Sequence, residues 1–216
     1  MVFKRKLDVD EIEVIEHIVD FVKEKHHRSE GHDYSHVLEV CRLSIEIAKK
    51  IPDQIDPFVL MCGALLHDIG RINAPNGLFH GLDGAARANE LLKAYTNDET
   101  VSRQVQNIII RHTPESRVPP QAPEEKVVFD ADTIERLGFM GMVRGLMGKS
   151  GTMEEIIDDR VHKRLLDYAK LYYPVSRRMS KKAYKETVAV SKTLKQDLVK
   201  RAKEIHEITS YKLIKQ

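Results

Sequence analysis

Apolar residues recur at spacings of three and four along nearly the whole chain, which predicts helices throughout and no convincing strand pairs. Asp8 with Glu11 three residues on reads as a capping box. Ile12, Ile15, Val19 and Val22 then form one apolar stripe up to about His26, and Gly31 interrupts it. Asp33 can cap a second helix that carries His36, Val40, Leu43 and Ile47 on one face and ends at Ile51-Pro52. Asp56-Pro57 opens a third helix in cap-then-proline order. Phe58 to Leu66 is apolar all round, so this helix should be central and buried, with Gly70 as a left-handed C-cap. Asn73, Pro75, Asn76, Gly77 and Gly81 predict a loop over 71–82. Helices are predicted at about 83–95, 98–112 and 124–137, with a proline-rich connector from Pro114 to Pro123. Val127-Val128-Phe129 fits a helix better than a strand, given its flanking charges. Glycines punctuate 138–151, and two longer helical patterns, about 152–172 and 176–213, are separated by Pro174. The fold class is therefore all-α, one helical unit over 1–216.

Composition adds exclusions. The chain of 216 residues is 42% hydrophobic and 31% charged, as in a globular protein able to bury a core without disulfides. It has no Trp, so no indole cage for carbohydrate or ammonium groups is available. Cys41 and Cys62 lie inside apolar helical patterns and form no CxxC, which predicts buried thiols rather than a zinc finger or redox pair. The longest apolar run is too short to span a bilayer, and no secretory h-region follows the basic N-terminus, so a soluble, cytoplasmic protein is expected. The net charge of +2 conceals an asymmetry: from Arg160 onward there are 16 Lys and Arg against 5 Asp and Glu, and in the rest 19 against 28. No aromatics or glycines interleave these basic residues, so they read as a solvated helix face, and strong duplex-DNA binding is not expected.

Chemistry concentrates at Ala64-Leu65-Leu66-His67-Asp68-Ile69-Gly70, where two ionisable side chains end the most apolar helix. A carboxylate buried there is costly unless it is paired or bound to a metal. Gly63 and Ala64, one turn earlier, leave room for a neighbouring helix. From the residues alone, a metal site and a solvated His–Asp pair both remain open. His36 shares its stripe with Val40 and Leu43, so it points toward the core; Asp132 follows Val128 and Phe129 by one turn. Asp130 and Glu135 compete for any carboxylate role, or face solvent.

The order His36, His67-Asp68 and a distant Asp132 resembles the HD-domain superfamily of metal-dependent phosphohydrolases. The resemblance covers roughly 32–145 and rests on His32-Asp-Tyr-Ser-His36-Val37, on Ala64-Leu-Leu-His-Asp-Ile-Gly70 and on Asp130-Ala-Asp-Thr-Ile-Glu-Arg-Leu-Gly138. It implies an HD-type helical bundle with additional C-terminal helices at about 152–216. It also implies a divalent metal on His36, His67, Asp68 and Asp132. In superfamily members with two metals, histidines in the segments of His80 and His112 complete the second site. The implied ligands are thus His36, His67, Asp68, His80, His112 and Asp132, with Asp68 bridging if two ions bind. Mixed nitrogen and oxygen donors suit Mn, Fe, Co, Ni or Zn. His32 and Asp33 are the nearest neighbours expected; the remaining histidines read as surface or supporting residues. Arg71 stands where many relatives have Lys, and Glu39 where close relatives often have Arg. There is no glycine-rich phosphate loop, so Asp68 and Arg71, or basic residues of the C-terminal third, would have to serve a phosphate substrate. The implied activity is hydrolysis of a phosphate ester of a nucleotide or other small phosphorylated metabolite. Two alternatives remain: a di-iron oxygenase on the same scaffold, and a non-catalytic metal- or nucleotide-binding module.

Overall fold

The computed structural model describes residues 3–27, 31–73, 79–147 and 149–209. Ten α-helices account for the architecture of these residues: α1 Val9–Lys25, α2 Tyr34–Ala48, α3 Pro57–Leu66, α4 His80–Lys93, α5 Glu99–Arg111, α6 Pro123–Glu135, α7 Gly138–Leu146, α8 Met153–Ile157, α9 Lys163–Ala169 and α10 Pro174–Thr209. The described residues form no strand beyond one isolated bridge, Phe3 to Ile55. No helix among them is long and apolar enough to cross a membrane.

The apolar helix α3 lies at the centre, packed against α1, α2, α5 and α6. Asp56 caps it by accepting from the N–H groups of Phe58 and Val59, and Pro57 fills the first turn, where no N–H is needed. Its side chains join Val37, Val40, Ile47, Val105, Ile108, Val127 and Val128 in one continuous core. Gly63 is small for a packing reason: a methyl group there would stand 2.4 Å from Cδ1 of Ile108, so it sets how closely α5 approaches α3. The capping box of α1 forms as expected, but the buried stripe is Val14, Ile18 and Val22, while Ile12 is exposed. The helix carries apolar residues over a wide arc, so spacing alone fits two neighbouring faces.

The segment after α3 departs from expectation. Residues Ile69–Arg71 form a short 3-10 turn, and Gly70 is not in the left-handed region; positive φ among the described glycines occurs at Gly31, Gly138 and Gly151. Gly70 is instead a point of close approach, since a Cβ there would lie 1.9 Å from the carbonyl oxygen of His80 and 2.6 Å from the amide nitrogen of Gly84. His80 accordingly begins α4 and is buried rather than lying in a loop, and Gly81 is helical. The turn residues Pro75, Asn76 and Gly77 lie outside the described residues.

Toward the C-terminus the predicted helix over 152–172 is broken by a π-helical turn, Asp158–His162, between α8 and α9. Met142 of α7, Ile157 and Val161 form a small second core with Val190, Leu194 and Leu198 of α10. Asp130, which had been open to a solvent-facing reading, is buried and accepts from the N–H groups of Tyr172 and Tyr173 at 2.7 and 2.9 Å, tying the α9–α10 junction to α6. Burial pushes its carboxyl up to about 6 in spite of those donors. Cys41 and Cys62 are free and buried.

Candidate metal centre

His67 is the residue that follows α3, and His112 the residue that follows α5. Both make the same local bond. Nδ1 of His67 donates to the carbonyl of Ala64 at 2.8 Å, and Nδ1 of His112 to the carbonyl of Ile109 at 2.7 Å. A carbonyl can only accept, so each Nδ1 carries the proton and each Nε2 is left with its lone pair pointing inward. Because α3 and α5 pack together, the two rings come within 5.1 Å of one another, centroid to centroid.

Asp68 sits between them, fully buried. Its Oδ2 is 3.3 Å from Nε2 of His36 and 3.4 Å from Nε2 of His67. Its Oδ1 is 3.4 Å from Nε2 of His112 and 3.8 Å from Nε2 of His80. The two oxygens of one carboxylate thus face two histidine pairs. Within each pair the ring nitrogens almost touch: 3.1 Å for His36 and His67, 3.3 Å for His80 and His112. Asp132 closes the first pair, its Oδ1 being 3.6 Å from Nε2 of His36. All six candidate residues therefore converge, and every one of them is buried. Two triads, His36–His67–Asp132 and Asp68–His80–His112, have donor atoms close enough to share an ion, as does His32–His36–Asp68.

The charges around these groups are paired in a defined way. Burial opposes ionisation of Asp68, but His32, bonded to its Oδ2, holds its carboxyl well below the usual range. Burial likewise opposes the charge on Asp132, and Arg136 with His36 more than compensates. Burial favours neutral His67, whereas for His36 it is outweighed by Asp68 and Glu135, which raise its pKa. Inward-facing imidazole nitrogens paired at about 3 Å, with the lone pairs of His67 and His112 among them and two carboxylates beside them, make a donor-rich centre that a divalent cation fits.

His32, Glu135 and Arg71, all candidates in the sequence, stand around the centre, and Arg136, Arg144 and the cleft arginines join them. His32 bonds Oδ2 of Asp68 through Nδ1 at 2.5 Å. Glu135, a candidate carboxylate in the sequence, is turned inward, 3.3 Å from Nδ1 of His36, and pairs with Arg144. Arg136 bonds Asp132 one turn earlier on α6; that spacing of four residues was the available signal. Arg71 reaches Oδ1 of Asp68 at 3.3 Å. Glu39 pairs with Arg42 on the surface and contributes nothing to the site. Beside His32 opens a narrow cleft of about 30 Å³, and its walls carry Arg71, Arg136, Arg144, Lys149, Arg160 and Arg164. Arg160 and Arg164 come from the basic C-terminal region, so part of that region lines the cleft; the lysines of α10 are exposed.

Residues 33–137 match the family model of the HD domain. The matched segment, just under half of the chain, is an HD domain. It is 29% identical over 123 residues to the uncharacterized protein YpgQ of Bacillus subtilis, a match that takes in 55% of this chain and 58% of that protein. It is 31% identical over 128 residues to a tRNA (cytidine(56)-2'-O)-methyltransferase of Picrophilus torridus, with 53% of this chain and 34% of that protein covered. The chain thus spans between a third and three fifths of the curated relatives it matches. Among solved structures, YpgQ in complex with ADP superposes with a TM-score of 0.66 at 21% identity, over 88% of this chain and 97% of that one. A Bacillus thuringiensis HD-superfamily hydrolase does so with a TM-score of 0.63 at 19% identity, over 87% and 98%. The fold is that of HD-superfamily hydrolases.

Proposed function

We propose that this chain is a metal-dependent phosphohydrolase acting on a small phosphorylated substrate, with a nucleotide as the first candidate. The observation that carries the proposal is the bridging placement of Asp68, one oxygen toward His36 and His67 and the other toward His80 and His112, bonded to His32 and Arg71, which line a cleft with six cations on its walls. In this reading His36, His67, Asp68 and Asp132 hold one ion, and Asp68, His80 and His112 hold a second. A divalent metal so held supplies a Lewis acid and lowers the pKa of a bound water.

The chain's own side chains do the remaining work. Glu135 orients His36 through Nδ1, and Arg136 holds Asp132 so that Oδ1 faces the centre. Arg71 and the cleft arginines bind and orient a phosphate and balance charge that builds on it. Arg160 and Arg164 belong to the C-terminal segment, which supports treating the HD core and the C-terminal helices as one functional unit. The alternative oxygenase reading asks for the same two-site centre, but a cleft this cationic favours an anionic substrate. That YpgQ was crystallised with ADP supports a nucleotide as the first compound to try.

The test is a panel of nucleotides, dinucleotides, cyclic nucleotides and small phosphate esters assayed with Mn²⁺, Co²⁺ and Ni²⁺. The expected result is metal-dependent phosphate release from at least one compound, abolished in Asp68→Ala. Two bound irons with no turnover anywhere in the panel would reject the phosphatase reading in favour of oxygen chemistry.

A further inference from the structure

One acid lines the cationic cleft, and its surroundings differ from those of every other acid near the centre. Glu115 lies 3.3 Å from Nη1 of Arg136 through Oε2 and 3.6 Å from Nη1 of Arg164 through Oε1, and it also accepts from the Thr113 hydroxyl. The two arginine side chains are nearly buried, 7% and 9% exposed, whereas that of Glu115 is 62% exposed. The arginines' other partners, Asp132 and Asp167, are only 2% and 7% exposed and sit on α6 and α9. Glu115 sits instead on the proline-rich connector between α5 and α6, next to Pro114. An anion arriving on Arg136 and Arg164 can displace only one of these three carboxylates without stranding a buried charge, because Glu115 alone can swing directly into solvent.

We infer that Glu115 is an exchangeable counter-ion, which occupies Arg136 and Arg164 when the cleft lacks a phosphate, yields to the incoming phosphate and returns as the product anion leaves. The inference rests on the phosphohydrolase reading for the identity of the anion. A bare arginine cluster would hold inorganic phosphate tightly after turnover. A tethered carboxylate competing for the same guanidinium groups weakens both substrate and product binding and hastens release. Glu115 is thus a residue that tunes anion affinity without touching the metal centre.

The experiment titrates inorganic phosphate and pyrophosphate calorimetrically into the Mn²⁺-loaded wild type, Glu115→Gln, Glu115→Ala and Glu115→Asp. Removing the charge should tighten both anions about tenfold, as expected for losing one competing charge near a surface site. The product-inhibition constant of phosphate should fall by the same factor, and Glu115→Asp should stay close to wild type. Metal content and melting temperature, measured in parallel, should hold steady. Unchanged or weaker anion binding in the Gln and Ala variants overturns the inference and leaves Glu115 a structural partner of its arginines. Failure of all four proteins to bind either anion overturns it as well. Tighter anion binding with no hydrolysis of any phosphorylated compound would keep the counter-ion and reject the hydrolase reading, so the two fail separately.

Discussion

Gly70→Ala should separate the two halves of the centre. The added methyl would lie 1.9 Å from the carbonyl oxygen of His80, 2.6 Å from the amide nitrogen of Gly84 and 2.8 Å from the carbonyl carbon of His80. These are backbone atoms, so no side-chain rotation relieves the overlap. Restoring an ordinary contact of 3.4 Å requires the 3-10 turn and the start of α4 to move apart by about 1.5 Å. His80 is the first residue of α4, so its ring moves with that helix and away from Asp68, while His36, His67 and Asp132 sit on α2, α3 and α6. Overpacking of this kind costs about 1–3 kcal/mol. For a chain of this length that is a fall of about 2–12 °C in Tm. Affinity for an ion at His80 and His112 should drop at least tenfold, roughly the effect of losing a supporting contact. Elemental analysis after equilibration at limiting metal should show the variant with one ion where the wild type holds two. Gly63→Ala is the comparison: its overlaps, 2.4, 2.9 and 3.1 Å, are with the side-chain atoms Cδ1, Cγ2 and Cβ of Ile108 and none with the backbone of α4, so it should lower Tm without selective loss of the ion at His80 and His112. A Gly70→Ala protein with both the melting temperature and the metal content of wild type would refute the reasoning.

Replacing His67 or Asp68 by Ala should remove bound metal and hydrolysis together while helical circular dichroism is kept; wild-type metal content in either would sink the ligand assignment. Arg71→Ala should raise KM or lower kcat about tenfold at constant metal content, the effect of losing one charge-assisted contact to phosphate, and unchanged kinetics would reduce Arg71 to a partner of Asp68. Burial raises the Cys41 thiol from 9.0 to about 12 and the Cys62 thiol in the same direction. The unfolded thiol ionises first, so the stability these thiols confer is full below pH 9.0 and is lost as pH rises toward about 12. Unfolding free energies from urea titrations between pH 8 and 11 should fall more steeply for wild type than for Cys41→Ala, by up to about 1.4 kcal/mol per pH unit; parallel curves would contradict the burial argument.

Much of the scaffold was legible because its signals are local. The caps at Asp8, Asp33 and Asp56 and the all-apolar run of α3 depend on neighbours within a few residues, and the helices start where those caps place them. The convergence of His36, His67, Asp68 and Asp132 was legible through the three phrases that carry them. What was not legible depends on contacts between distant segments. Gly70 reads as a cap until α4 is seen pressing on it, and His80 reads as a loop residue because the turn chemistry before it hides the start of a helix. Arg160 and Arg164 look like any other members of a basic tail; only the packing of the α8–α9 segment beside α7 turns them toward the cleft. Glu135 could be read either way, because a carboxylate three residues from Asp132 faces inward only if Arg144 is present to pair with it.

The centre also has a thermodynamic consequence. Each of His67 and His112 spends its Nδ1 proton on a carbonyl of its own helix, so when neutral its inward Nε2 can only accept, with the rings of His36 and His80 as its neighbours at 3.1 and 3.3 Å. Folding therefore concentrates acceptors around Asp68 and Asp132, and an ion that binds only this arrangement stabilises the folded state by mass action. At a free metal concentration one hundred times Kd the gain is about 2.7 kcal/mol per ion. That corresponds to about 5–11 °C in Tm for a chain of this size. Chelator-treated protein should melt lower by this margin and recover on adding Mn²⁺, Co²⁺ or Ni²⁺. Asp68→Ala should show no metal-dependent shift. Identical melting of metal-free and metal-loaded wild type, with occupancy verified by elemental analysis, would mean that the ion binds folded and unfolded chain alike, which the fixed tautomers and buried carboxylates of this centre argue against.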